Sequence, residues 1–298
     1  MNNIKKIIKK YNLVPHRYTI KNKVTIVNTE EKSLVIKEAS NTDINYLYQY
    51  LKSRNFEYFP KLLDREGRYN VYEFVEEVKT PNEQKATDII HLLSLLHNKT
   101  TYYKEIDLDE YKIIYESTID KLEYLYNYYN DIITVIEGNI YMSPSEYLLA
   151  RNISKLYEAL SFGRREIDLW YDLIKEKQKM RIVTIHNNID VDHLLRNNNL
   201  YLVSWDKATR DSPIYDFYIF YKKKALDYDF TELLKLYESK YPLLDDERKL
   251  LFILLAMPER IDFNNNEYNN CKNIRKAVEY IYKTEQLIKP YYTIQNKK

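Results

Sequence analysis

The 298-residue sequence predicts an α+β chain in two parts, a small antiparallel sheet followed by a larger helical region. Three observations predict it. The first 80 residues hold short β-branched and aromatic runs separated by polar turns. From about residue 81 the apolar residues recur at helical spacing. One β-like stretch, 181–205, interrupts that helical rhythm.

The elements follow in order. Tyr18–Ile20, Val24–Asn28 and Leu34–Glu38 read as three antiparallel strands joined by the turns Lys21-Asn22-Lys23 and Glu30-Glu31-Lys32. Asn41 or Thr42 can cap a helix that runs to about Lys52. Pro60–Leu63 and Tyr69–Val75 then form two strands around the Arg65-Glu66-Gly67 turn, making a five-stranded sheet with one helix over residues 1–80. Residues 81–298 are predicted helical. Ile89, Leu92, Leu93 and Leu96 mark one buried stripe, and a long helix spans about Leu108 to Thr134. Ser143-Pro144-Ser145-Glu146 is a helix start, with Ser as cap, Pro at the first helical position and Glu at the third, where it can bond back to the cap. That helix runs to about Leu160 and another spans Arg165–Lys177. Arg181–Ile185 and Leu200–Trp205 form a hairpin with its turn at Arg196–Asn199. Helices resume at about 230–240, where Asp229 and Glu232 frame a capping box, and continue at 246–256 and 270–288. The Lys297-Lys298 end is expected to be loose.

Composition excludes several function classes. Lys plus Arg number 46 against 44 Asp plus Glu, a net charge of +2, and no basic stretch is long enough for a nucleic-acid groove. No run of about 18 apolar residues exists, and the Met1–Lys6 start carries no signal core, so no membrane span and a cytoplasmic location are expected. Cys271 is the only cysteine, which excludes an internal disulfide framework and a thiolate metal cluster within one chain. The 32 tyrosines reflect an A+T-rich coding sequence, and Tyr124, Tyr126, Tyr128 and Tyr129 are expected to be core packing rather than a sticky face. Glycine occurs only at Gly67, Gly138 and Gly163, which leaves no bare backbone for a phosphate-cradling loop.

The chemistry concentrates in the interrupting stretch. It reads Ile185-His186-Asn187-Asn188-Ile189-Asp190-Val191-Asp192-His193-Leu194-Leu195, then Leu202-Val203-Ser204-Trp205-Asp206-Lys207-Ala208, then Asp211-Ser212-Pro213-Ile214-Tyr215-Asp216-Phe217. This resembles the aminoglycoside phosphotransferase and choline kinase family, whose pattern is H-G-D-x-x-x-x-N-x-L, I-D-W-E-x-A and G-D-P-x-x-D-L. The seven-residue step from His186 to His193 is the family's step from His to Asn. Val35-Ile36-Lys37, Pro60-Lys61-Leu62-Leu63 and the Leu92–His97 helix also match, so the resemblance covers about residues 10–260. The nearest branch is expected to be the spore-coat kinase-like proteins of spore-forming bacteria.

The resemblance implies a two-lobed protein kinase-like fold, an N-lobe at 1–80 and a helical C-lobe at 81–298 that holds the hairpin 181–205. It implies a nucleotide-phosphate contact at Lys37, a loop histidine at His186, a catalytic base position at Asn188 and metal positions at His193 and Ser204. Phosphoryl transfer needs a carboxylate beside the attacking hydroxyl and a further carboxylate and amide to hold Mg²⁺. An Asn188 amide cannot accept a proton at neutral pH, and losing a general base costs about 10² to 10⁴ in rate. The helix position expected to offer Lys37 a glutamate falls near Asn45 or Tyr46, so Lys37 is expected to lack its partner. His186, Trp205 and Asp216 keep scaffold duties. The expected protein is a pseudokinase that serves as a binding or assembly protein for an unknown protein partner, with no active catalytic residue, cofactor or metal. The alternative is an active small-molecule phosphotransferase using ATP and Mg²⁺ through atypical residues, with Asp190, Asp192 or Asp206 as a displaced carboxylate and His193 as a nitrogen ligand. His91 is expected to be exposed and His97 a satisfied contact, and no Ser-His-Asp arrangement or reactive setting for Cys271 can be defended.

Overall fold

The structure, a computed structural model, describes residues 7, 9–11, 17–21, 24–29, 33–263 and 266–295. Met1–Lys6, the turn residues Asn22 and Lys23, the Glu30-Glu31-Lys32 turn and the Lys297-Lys298 end lie outside them. The chain divides into two compact units, Met1–Thr101 with Val183–Asp211, and Tyr102–Ile182 with Ser212–Lys298. This division follows contacts rather than element type. It takes a helix and the 183–211 stretch with the sheet, where the sequence pattern groups residues 81–298 together.

In the first unit, β1 (Arg17–Lys21), β2 (Val24–Asn28), β3 (Ser33–Glu38), β4 (Leu62–Glu66) and β5 (Tyr69–Glu73) form one antiparallel sheet in the order β1-β2-β3-β5-β4. Alternation sets its two faces. Val27, Leu34, Ile36 and Val71 are buried on one face with Ile7. The register Val35↔Tyr72 and Lys37↔Asn70 puts these four side chains together on the other. Helix α1 (Ile44–Ser53) follows β3, and its cap is Asp43, not Asn41 or Thr42. The Asp43 carboxylate accepts from the N–H groups of Asn45 and Tyr46 at 3.1 and 3.3 Å, satisfying two donors that a helix start leaves open.

Helix α2 (Asn82–Thr100) buries Ile89, Leu92, Leu93 and Leu96 as their spacing demands, with His91 exposed and His97 buried. Its last turn holds the strand β7 (Lys179–Ile185), because the Thr100 hydroxyl accepts the Thr184 N–H at 3.0 Å. The hairpin expected between 181–185 and 200–205 is not formed by those segments. Val183–Ile185 of β7 pairs instead with β10 (Thr209–Asp211), and the short β8 (Leu194–Arg196) pairs with β9 (Leu200–Leu202) around the Asn197–Asn199 turn.

The second unit is helical apart from β6 (Tyr102–Glu105), which pairs with Lys179–Ile182 of β7. Its helices are α3 (Leu108–Glu137), α4 (Pro144–Lys175), α5 (Ile214–Lys224), α6 (Phe230–Lys240), α7 (Asp245–Ala256) and α8 (Glu267–Gln295). The reciprocal cap of α4 forms, with Ser143 N–H donating to Glu146 at 2.7 Å and Glu146 N–H to the Ser143 hydroxyl at 3.4 Å. Where the sequence pattern places two helices, α4 is continuous through Gly163. The reason is packing: a Cβ at Gly163 would lie 3.0 Å from Leu122 of α3, so the missing side chain permits the close approach of the two helices. Leu122, Leu125, Tyr129, Leu149, Leu156 and Leu160 make the core between them, with Ile274 and Ile281 of α8. Of the tyrosines on α3, Tyr129 is buried and Tyr128 partly so, while Tyr124 and Tyr126 stay half exposed.

Arg181, Glu247 and Glu166 are buried in this unit and are paired. Arg181 and Glu247 form a two-pronged ion pair, with Nε–H donating at 2.9 Å, and Arg181 also donates to the Pro242 carbonyl at 2.9 Å. Burial alone would raise the Glu166 carboxyl, but hydrogen bonds from Lys249 at 2.6 Å and Tyr292 at 2.9 Å hold it below the ordinary carboxylate range. Asp216 lies in the first turn of α5 and is fully buried, inside the helix rather than ahead of it.

Two outcomes test this packing. Gly163→Val should lower stability by about 1–3 kcal/mol through overpacking against Leu122, seen as a fall of several degrees in Tm. Gly163→Ala should cost less, because Ala regains up to about 1 kcal/mol of helix propensity. The second outcome concerns base. Burial pushes the Tyr72 and Tyr221 phenols up to about 12, and it raises Tyr129 and Tyr280 further. A phenol whose folded value is raised contributes stability that is whole below its ordinary value of about 10 and is lost as pH climbs through the folded value. Chemical denaturation should therefore show constant stability up to about pH 10 and a steep loss between about pH 10 and 12.

Candidate functional site

The candidate site lies within the first unit and starts from one buried indole. Trp205 is 1% exposed, and its Nε1–H donates to the Leu202 carbonyl at 2.8 Å. Phe56 and Phe59, from the segment after α1, meet it edge-on at ring distances of 6.1 and 6.3 Å, and His186 does so at 4.6 Å. Tyr48 of α1 stacks on Phe59 at 3.9 Å. The backbone adds two ties, Leu202 N–H to the Tyr58 carbonyl and Val78 N–H to the Arg196 carbonyl, both at 2.8 Å. These contacts hold β8, β9 and the 3-10 turn Trp205–Lys207 in place.

The residues that the family pattern picks out meet here. His186 is fully buried and its Nε2–H donates to the Val203 carbonyl at 2.9 Å, which fixes that tautomer because a carbonyl only accepts. By the same logic His193 carries its proton on Nδ1, which donates to the Asn188 backbone carbonyl at 2.6 Å. The Asn188 amide donates to the Ser204 carbonyl at 3.5 Å. Val203 N–H returns to the His193 carbonyl at 2.9 Å. Ser204 and Asn187 both take the left-handed conformation, with φ of 67° and 57°. Asn tolerates it, whereas Ser pays about 1 kcal/mol or more, a strain that the surrounding contacts sustain.

Lys37 is not without a carboxylate. Its ammonium pairs with Asp206 and lies 3.5 Å from the Ser204 hydroxyl. The helix position near Asn45 and Tyr46 plays no part, since both side chains face solvent and Tyr46 is 63% exposed. Asp206 is itself fixed from α1's approach, where the Thr42 hydroxyl donates to its backbone carbonyl at 2.6 Å. The pair is half-buried, with side-chain exposures of 18% for Lys37 and 23% for Asp206. Beside it lie two phenols. Burial, reinforced by the Asp206 charge, holds Tyr48 well above its ordinary value and Tyr72 up to about 12.

This donor set does not fit Mg²⁺, which takes hard oxygen ligands and above all carboxylates. His193 presents an imidazole already tied through Nδ1, Ser204 presents a neutral hydroxyl, and the nearby Asp206 carboxylate carries an ammonium. Among the described residues no group of three or more His, Cys, Asp and Glu side chains sits together as a metal would require. Asp192 is exposed. The pairing of Lys37 with Asp206 and the contact of Thr42 are what sequence reasoning missed. The one available signal is that Asp206 stands at the second acidic place of the I-D-W-E pattern.

The Trp205 anchor has a measurable consequence. Trp205→Ala should cost about 3–5 kcal/mol in chemical denaturation, and Trp205→Phe about 1–3 kcal/mol, since Phe keeps the ring contacts and leaves the Leu202 carbonyl without its donor.

No family model matches the sequence, and no curated protein matches it. Solved structures do match. An aminoglycoside phosphotransferase from Alicyclobacillus acidocaldarius subsp. acidocaldarius DSM 446 superimposes with a TM-score of 0.70 at 11% identity, covering 98% of this chain and 96% of that chain. The AMP-bound complex of spectinomycin phosphotransferase APH(9)-Ia does so with a TM-score of 0.54 at 14% identity, covering 94% and 98%. Its complex with ADP and spectinomycin gives 0.52 at 13% identity, covering 96% and 98%. Among the described residues no helix is long and apolar enough to cross a membrane. An antiparallel sheet with one helix, then a helical part, matched over nearly the whole chain, gives this protein the kinase-like fold of the aminoglycoside phosphotransferases.

Proposed function

We propose that the protein is a pseudokinase, a kinase-like scaffold that has lost phosphotransfer and acts by binding or assembling with a protein partner. One observation carries the reading. Every group that phosphotransfer would call on in this fold is either chemically unsuited or already engaged. Asn188 has an amide where a base must accept a proton, His193 is tied to a backbone carbonyl, Ser204 offers only a hydroxyl, and Lys37 is neutralised by Asp206. The residues with packing duties, His186 and Trp205, keep theirs. The competing reading is an active small-molecule phosphotransferase in which Asp206, Asp190 or Asp192 replaces the missing carboxylates.

Nucleotide binding and repair separate the two. A ligand at 100 times its Kd stabilises the native state by about 2.7 kcal/mol, which a thermal-shift measurement resolves. Wild-type protein should show no Mg²⁺-dependent rise in Tm with millimolar ATP or GTP. Asn188→Asp, His193→Asn and Ser204→Asp together should create divalent metal binding, read with Mg²⁺ or Mn²⁺ alone, and should lower basal stability by clustering negative charge. Phosphate transfer by wild type that Asn188→Ala or Ser204→Ala abolishes would overturn the pseudokinase reading.

A further inference from the structure

The helical unit holds a cavity of about 300 Å³ between α4, α7 and α8, built from none of the candidate-site residues. Its wall is apolar, made by Ala159 and Phe162 of α4, Ala256 of α7, and Ile281, Ile288 and Tyr292 of α8. Phe162 and Tyr292 meet edge to face at 5.4 Å. Water gains little from such a wall, since each molecule needs polar partners, whereas a small apolar ligand is suited to a space of this size.

Charge at the rim is unevenly shared. At one end the buried Glu166 carboxylate accepts from Lys249 at 2.6 Å, from Arg165 Nε–H at 3.1 Å and from the Tyr292 hydroxyl at 2.9 Å. One negative charge therefore meets two cations, and a unit of positive charge is left over. Arg165 carries it into the cavity mouth, with its guanidinium 5.6 Å from the centre of the Phe162 ring. Among the described residues no acceptor meets the two terminal NH2 groups of Arg165, whose only ion pair is made through Nε. The other end, ten residues back along α4, has the opposite balance. There Lys155 is shared between Glu158 at 2.9 Å and Glu285 at 3.8 Å, and Lys289 on the same rim is also engaged.

We propose that this cavity binds a medium-chain monocarboxylate, whose carboxylate is received by Arg165 and whose apolar tail lies against the α4, α7 and α8 side chains. The planar guanidinium offers two parallel N–H groups to two carboxylate oxygens, the geometry in which such pairs are strongest. A single carboxylate charge matches the single surplus charge, whereas a phosphate monoester brings nearly twice as much. Repulsion by Glu158 and Glu285 fixes the direction, so the tail runs from Arg165 past Ala159 and Ala256.

The test is calorimetric titration of octanoate, hexanoate and neutral octanamide into the full chain, as wild type, Arg165→Met and Ala159→Phe. Octanoate should bind wild type at least about fivefold more tightly than hexanoate, which buries two fewer methylenes, and at least about tenfold more tightly than octanamide. Arg165→Met should weaken octanoate at least about tenfold and leave Tm nearly unchanged, because the Arg165 side chain is 63% exposed. Ala159→Phe should abolish binding by filling the space. If that variant does not fold, Ala159→Met narrows the same space and takes its place in the comparison. Absence of octanoate binding at millimolar concentration would overturn the proposal, as would equal affinity for octanamide or undiminished binding in either folded variant. No arm of the titration involves nucleotide or phosphate, so its outcome is separate from that of the pseudokinase reading.

Discussion

Burial of one indole underlies the first unit. Trp205 is surrounded by Phe56, Phe59 and His186, and its only polar atom is satisfied by the Leu202 carbonyl. A tryptophan buries some 150–250 Å² on folding, enough to fix the turn that carries it. Everything chemical in the site hangs from that turn. Ser204 precedes the indole and is forced left-handed, and Asp206 follows it and is brought onto Lys37. Because the ring is locked, the neighbouring residues cannot relax independently, which is how a serine is kept at φ 67°.

The same anchoring explains how the kinase-like scaffold holds its shape independently of the charges carried at the candidate site. Packing and chemical duties fall on different atoms. His186 works through a hydrogen bond to a backbone carbonyl, a role indifferent to charge on the neighbouring residues. The positions of a base and of metal ligands need carboxylates held close together, which repel one another and cost stability in a half-buried site. Asn188, His193 and Ser204 bring no such carboxylates together, and each finds a partner among the backbone groups or Lys37 around it. The remaining carboxylate, Asp206, pairs with the one cation nearby instead of gathering a metal.

The helical unit solves its own electrostatic problem by similar means. Arg181 and Glu247 are both buried, and the fork geometry lets two N–H groups meet two oxygens, with a third bond to Pro242. Such a pair need not exceed an apolar substitute in stability, but removing one partner would strand the other. Glu166 is handled the same way by Lys249 and Tyr292, which come from different helices. The Glu166 tie links α4, α7 and α8, and the Arg181 tie links β7 to α7, while the Gly163 contact with Leu122 sets how closely α3 and α4 pack.

What the sequence by itself determined were the features decided over a few residues. The five strands, the Ser143 cap and the apolar stripe of α2 are legible because alternation, capping chemistry and 3.6-residue spacing act locally. The chemical character of Asn188, His193 and Ser204 is legible too, since residue identity alone says that an amide accepts no proton at neutral pH and that an imidazole and a hydroxyl are not carboxylates. Other features were decided by tertiary structure. The strands β6 and β10 are too short to show a pattern and exist because β7 offers them edges. The reason for a glycine inside the continuous α4 is seen only in the tertiary structure, where the facing Leu122 needs the space. Lys37 found its carboxylate 169 residues away rather than on the nearby helix. No local preference encodes that choice, because the ion pair forms only when burial of Trp205 has brought the two strands of chain together.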